Sequence, residues 1–227
     1  MSETTDRRFY GRRKGRPLRQ RQQALVDAAL PSLEIGEGEG PLDPRTLFDP
    51  PRERVWMEIG FGGGEHLAHQ AAMHPDVGFI GSEPYLNGVA SLLDHAGQAG
   101  LHNLRIQPDD VRPLLARLPD ASIERLFILF PDPWPKNRHH RRRIVGPETI
   151  PEFARILSDG AILRLASDHP DYVEWMLRYL GQDDRFEWLA RRPSDWRERP
   201  ADQIETRYEA KALAGVPVYL TFERRPR

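Results

Sequence analysis

Apolar positions along this chain fall into short blocks separated by stretches of helical period. Val55–Ile59, Val77–Ser82 and Asn103–Gln107 read as three strands, and Ile123–Phe130 as a long fourth whose second half, Leu126–Phe130, is wholly apolar. Helical patterns over Glu65–Met73 and Leu86–Ala99 separate the first three. A helix over about Pro147–Leu157 leads into a fifth strand, Ala161–Ala166, which is followed by a helix over Asp171–Leu180. Phe186–Leu189 and Val216–Phe222 read as two late strands with no helix between them. Alternation of this kind predicts an α/β fold, a doubly wound and mostly parallel sheet, with the last two strands forming an antiparallel edge hairpin. Before it come a short helix over Gln22–Leu33 and a Gly/Pro/acid-rich connector over 34–53. The chain therefore divides into an N-terminal segment, 1–53, and a domain, 54–227.

Charge changes this picture at one end. The chain has 227 residues and a formal net charge of -1, yet residues 1–21 carry eight cations (Arg7, Arg8, Arg12, Arg13, Lys14, Arg16, Arg19, Arg21) against Glu3 and Asp6. A basic arm on a mildly acidic body suits a phosphate backbone, and a solvated tail is the plainer alternative. The absence of cysteine excludes thiolate metal sites, disulfides and a cysteine nucleophile, and fits a cytoplasmic protein. No apolar run approaches the ~20 residues that span a bilayer, so no membrane association is expected.

The first candidate site is the turn after the first strand, Glu58-Ile59-Gly60-Phe61-Gly62-Gly63-Gly64-Glu65. Its context, strand then helix, is right for a cofactor loop, but the third position of a dinucleotide fingerprint is Glu65, which faces a pyrophosphate unfavourably. Gly60, Gly62 and Gly64 instead allow close backbone approach to an uncharged or cationic ligand. Glu58 ends the first strand and Glu83 the second, where a carboxylate can grip two ribose hydroxyls. Asp110, beyond the third, can accept from an adenine amino group. One acid per strand end around a glycine turn suits S-adenosylmethionine, a zwitterion with a sulfonium and no phosphate.

The second candidate is Phe130-Pro131-Asp132-Pro133-Trp134-Pro135-Lys136, a proline-locked turn that closes the fourth strand. Arg138, His139, His140, Arg141, Arg142 and Arg143 follow it, so a rigid polar turn stands beside a polycation. Lys136 and Arg138 are read as phosphate contacts, with Arg141, Arg142 and Arg143 extending them. Trp134 is read either as a stacking surface for a base or as filling at the core rim. His139 and His140 are adjacent and His66 and His69 have only helical spacing, so no metal is expected.

These residues resemble the bacterial tRNA (guanine-N7-)-methyltransferases over nearly the whole chain. The resemblance rests on Glu58-Ile-Gly-Phe-Gly-x-Gly, Phe130-Pro-Asp-Pro-Trp-x-Lys136 with its basic tail, and Thr206-Arg207-Tyr208-Glu209. It implies a Rossmann-like methyltransferase fold, S-adenosylmethionine as cofactor, tRNA as partner, and 7-methylguanosine as product, usually at position 46 of the variable loop. It also implies that Glu58, Glu83, Asp110 and Asp132 bind the cofactor, that Asp132 is catalytic, and that Lys136, Asp168, Thr206, Arg207, Tyr208 and Glu209 bind substrate. No protein partner is required, and the chain is expected to act as a monomer or homodimer. Pro135, where relatives often have histidine, and Ser82-Glu83-Pro84-Tyr85 depart from the family pattern without removing an acid. Two rivals remain: methylation of an exocyclic amine, and a non-catalytic RNA-binding protein on a degenerate methyltransferase fold.

Overall fold

The computed structural model describes residues 11, 13, 15–36, 38–211 and 214–227. In chain order the elements are α1 (Gln20–Leu33), β1 (Val55–Ile59), α2 (Glu65–Met73), β2 (Gly78–Ser82), α3 (Leu86–Ala99), β3 (Leu104–Gln107), α4 (Val111–Arg117), β4 (Ile123–Leu129), α5 (Ile150–Ile156), β5 (Leu157–Ser167), α6 (Pro170–Gly181), β6 (Phe186–Trp188), α7 (Ser194–Arg197), α8 (Arg207–Lys211) and β7 (Val218–Arg224). The strands form one seven-stranded sheet in the order β3-β2-β1-β4-β5-β7-β6. β1 to β5 are parallel, and β7 pairs antiparallel with both β5 and β6.

Both faces of the sheet are covered, which is why the central strands are so continuously apolar. Met57, Leu126, Ile128, Leu163 and Leu165 pack with Leu114, Phe153 and Tyr172 of α4, α5 and α6. Trp56, Phe79 and Phe127 pack on the other face with Val26, Leu67 and Leu92 of α1, α2 and α3. Each such side chain, taken fully out of water, contributes roughly 1.5–3 kcal/mol before entropy is charged against it.

Three features differ from the sequence expectation. Helix α4 is additional to it, because Pro113 interrupts the helical pattern. The proline falls in the first turn, where no N–H is needed, and Asp110 caps the helix by accepting from Arg112 N at 3.1 Å. β5 begins at Leu157 rather than Ala161, its register shifting over Ser158-Asp159-Gly160, where Gly160 takes φ 77°. Between β6 and β7 lie two short helices, α7 and α8, so Thr206–Glu209 is the start of a helix and not a loop.

The N-terminal segment is bound to the domain. Ile35 N donates to Ile106 O at 2.8 Å, and Phe48, 3% exposed, fills space that only a glycine at 78 leaves open. Further upstream, Leu86 N donates to Arg13 O, and Arg13 and Arg21 pair with Asp109 and Asp94 at 2.9 and 2.7 Å. Arg7, Arg8, Arg12 and Lys14 lie outside the described residues.

Candidate active site at the switch point of the sheet

From β1 the chain winds outward through β2 and β3, and from β4 it winds the other way. The crevice at the carboxyl ends of β1 and β4 is therefore where a doubly wound sheet binds ligands. Two turns meet there: the glycine turn leaving β1 and the proline turn leaving β4. Gly60, Gly62 and Gly64 take φ of 74°, 56° and 80°, in the left-handed region that glycine adopts without strain. A Cβ at Gly88 of α3 would lie 2.1 Å from Gly62 O, so this helix can seat against the turn only with glycine there.

A cavity of about 430 Å³ opens between the turns, within the range of small-ligand sites. Gly60, Gly62, Glu83, Asp110 and Asp132 line it, together with Tyr85, Arg112, Trp134 and Arg142. Glu83 is held from two sides, Oε2 accepting from Gly62 N at 2.8 Å and Oε1 from Tyr85 N at 2.9 Å. Burial pushes its pKa up to about 7, with Asp132 and Glu58 adding repulsion and the two N–H groups opposing it. Asp110 is gripped by Arg112, whose guanidinium lies 3.0 and 3.1 Å from the two carboxylate oxygens. Neither Glu58 nor Gly64 lines the cavity. Gly64 forms the N-cap of α2, and Glu58 lies buried beneath the turn, 2.7 Å from His66 Nδ1.

The proline turn is strained and braced. Phe130 and Trp134 have φ of 51° and 44°, unusual for bulky residues and costing on the order of 1–3 kcal/mol each. Phe130 N donates to Ala166 O and Arg143 Nε to Pro133 O, both at 2.8 Å, so neighbouring elements hold the conformation. The turn presents Asp132 at the cavity, where it makes no hydrogen bond among the described residues and desolvation by the walls raises its carboxyl above the usual range. Arg142 lies over the Trp134 ring at 5.0 Å and His139 edges it at 6.1 Å. The cations split into two kinds. Lys136, Arg138 and Arg141 are exposed, on or beside the 3-10 helix Asn137–Arg142. Arg143 is 3% exposed, bonded to Asp171 and lying over Tyr172 and Trp175 at 4.8 and 4.9 Å, so it braces the turn and is not displayed.

Residues 52–219 match the family model described as "Putative methyltransferase". The chain is 56% identical to the tRNA (guanine-N(7)-)-methyltransferase of Rhodospirillum rubrum, over 99% of this chain and 90% of that one. It is 51% identical to the enzyme of the same name from Ruegeria pomeroyi, over 99% of both. The chain belongs to the tRNA (guanine-N(7)-)-methyltransferase family. Among solved structures, an rRNA methylase from Streptococcus thermophilus shares the fold, with a TM-score of 0.52 at 15% identity, covering 76% of this chain and 87% of that one.

In this member of the methyltransferase family Asp168, Thr206, Arg207 and Glu209 do not line the cavity. Asp168, at the end of β5, accepts from Ala214 N at 3.0 Å. Thr206 caps α8, with its Oγ1 accepting from Glu209 N at 3.3 Å. Glu209, 5% exposed, accepts from Arg199 Nε at 2.7 Å and from the Tyr219 hydroxyl. Burial and that bond push the tyrosine pKa up to about 12. Arg207 reaches back to the glycine turn, bonded to Glu65 and donating to Ser91 Oγ at 3.1 Å. The side chain of Tyr208 lies outside the described residues. Arg112 and Ile144 line the cavity although neither is marked as a site residue by the sequence. Arg112's place two residues after a strand-end acid is the available signal. Among the described residues no cluster of three or more His, Asp or Glu is placed to hold a metal, and no helix is long and apolar enough to cross a membrane.

Proposed function

We propose that this chain transfers the methyl group of S-adenosylmethionine to N7 of a guanosine in the tRNA variable loop, at position 46, giving 7-methylguanosine in the cytoplasm. The observation that carries the reading is the display of Asp132 by a strained, braced turn in the same cavity as Gly60, Gly62, Glu83 and Asp110. The residues fit this cofactor. Glu83 suits the ribose hydroxyls and Asp110 the adenine amino group. The glycine turn brings backbone close to an uncharged stretch of ligand, and the acids, Glu58 included, favour a cation. Bound there, the cofactor supplies an electrophilic sulfonium methyl.

Guanine N7 carries an in-plane lone pair, so no proton has to leave before it attacks. The protein's task is alignment and stabilisation of the positive charge that grows on the base. Asp132 accepts from the guanine edge and its charge favours the developing cation. Trp134, backed by Arg142, offers a stacking face for the base. Exposed Lys136, Arg138 and Arg141 contact tRNA phosphates. Asp168, Thr206, Arg207, Tyr208 and Glu209 contact the substrate after exchanging some of their present partners. The domain 54–227 carries the chemistry, and the N-terminal segment adds tRNA affinity. Neither a metal nor a second protein is required.

Nucleoside mass spectrometry on unmodified tRNA incubated with the full chain and S-adenosylmethionine tests the reading. The wild type is expected to yield 7-methylguanosine and Asp132→Asn to turn over about 100-fold more slowly. A different methylated nucleoside would move the substrate assignment, and none at all would favour a binding protein on a degenerate fold.

A further inference from the structure

Glu58 and His66 stand on the two sides of the glycine turn, one at the end of β1 and the other in the first turn of α2. Both are buried, at 2% and 1% exposure, and Nδ1 of the imidazole lies 2.7 Å from Oε2 of the carboxylate. A carboxylate can only accept, so Nδ1 carries the hydrogen. The ring is held in place on its other side. It meets Phe127 edge-on at 4.8 Å, and Phe127 sits in register with Glu58 on the neighbouring strand β4. Neither the spacing of His66 nor its place in the turn marks it as a ligand contact, and it is not among the residues lining the cavity.

We propose that His66 is the positioning residue of the cofactor turn, its Nδ1–H fixing the Glu58 carboxylate and tying the helix side of the turn to the strand side. The inference rests on the cofactor reading above. Between the two paired residues the chain must pass through three glycines in the left-handed region, a segment with little stiffness of its own. The buried hydrogen bond closes this loop at its base. Without the donor, a buried carboxylate is left unpaired and the loop is no longer closed at its base.

Asparagine and glutamine separate positioning from packing. The amide nitrogen introduced by His66→Asn falls near the Nδ1 position, and the one introduced by His66→Gln falls near Nε2. Nε2 has no hydrogen-bond partner among the described residues. Calorimetric titration of the full chain with S-adenosylmethionine is expected to show His66→Gln binding about tenfold more weakly and His66→Asn within about twofold of wild type. Both variants lose the ring contact with Phe127, and His66→Gln, which also leaves the buried Glu58 carboxylate without its donor, is expected to melt below His66→Asn. In tRNA methylation the His66→Gln loss is expected in KM for the cofactor, with kcat changed less than about twofold. Equal weakening in both variants, or wild-type affinity in His66→Gln, would overturn the inference in favour of packing alone. A second arm does not depend on His66→Asn folding: the loss in Glu58→Gln should not deepen when His66→Gln is added, and losses that multiply would equally overturn the proposal. Wild-type protein that binds no S-adenosylmethionine would overturn the cofactor reading itself.

Discussion

The cavity acids and the Thr206–Glu209 helix start are both rich in polar side chains and both lie beside the glycine turn, yet they are built in opposite ways. At the cavity, Asp132 has no partner among the described residues, and Glu83 is bonded only by backbone N–H groups while burial drives its pKa to about 7. In the helix start, Glu209 is bonded by Arg199 and Tyr219, and Arg207 by Glu65 and Ser91. One region holds acids at a cost that a bound ligand can relieve. The other is bonded within the protein, apart from the buried Glu209 Oε2, which has no hydrogen-bond partner among the described residues, and must exchange partners to touch anything else. A motif residue's presence in both regions is equal; its readiness is not.

Stability separates the two most strongly. Removing Glu209 leaves the buried Tyr219 hydroxyl without its acceptor and the Arg199 guanidinium with only the Glu205 carboxylate, at 3.5 Å. Glu209→Ala is therefore expected to cost about 2–3 kcal/mol and to lower Tm by about 5–10 °C. Asp132→Ala removes an exposed carboxylate that makes no hydrogen bond among the described residues, and stability is expected to change by less than about 0.5 kcal/mol. Thermal and urea denaturation of both variants checks this. Equal losses would erase the distinction.

The pH dependence of cofactor affinity is the next largest expected effect. A carboxylate that grips two ribose hydroxyls must be ionised, and with a pKa of about 7 Glu83 is mostly protonated at about pH 6 and mostly ionised at about pH 8. Affinity for S-adenosylmethionine is then expected to rise about tenfold over that interval through Glu83, read as the part of the profile that vanishes in Glu83→Gln. Stability has the opposite sign. The folded value lies above the ordinary value of 4.5, so the protonated side chain stabilises the fold fully below about pH 4.5, and this contribution is lost as pH rises through about 7. Glu83→Gln should accordingly melt above wild type at about pH 8 and alongside it at about pH 4.

How much of this is legible in the sequence depends on the kind of signal. β1, α2 and α3 are legible to the residue, because apolar blocks and a glycine turn define their ends. The convergence of Glu83, Asp110 and Asp132 follows from strand-end placement and the switch point, with no contact known in advance. The state of Thr206–Glu209 is not legible. Its partners Glu65, Ser91, Arg199 and Tyr219 lie up to 142 residues away, and short helices such as α7 and α8 carry too few residues to show a period. Arg143 fails for the same reason: inside a run of like charges, nothing local marks the one arginine whose guanidinium is packed between Tyr172 and Trp175. Pro113 hides α4 although Val111, Leu114 and Leu115 have helical spacing.

The smallest expected effect tests how firmly the helix start is docked. The Arg207 side chain is 67% exposed against 18% for Glu65, so water reaches the pair from the arginine side and it is worth about 1 kcal/mol or less. A double-mutant cycle of Glu65→Gln and Arg207→Gln on unfolding free energy is expected to give a coupling of about 0.5 kcal/mol that fades at about 1 M salt. A weak coupling matters because the proposed substrate contact of Arg207 requires it to leave Glu65, and a weakly held arginine can change partner on binding RNA. Glu65→Gln is then expected to tighten tRNA binding by about twofold at low salt. A coupling above about 2 kcal/mol that survives high salt would instead place Arg207 with Glu209, as a second structural anchor of α8, and would leave substrate contact to residues that have no such tie.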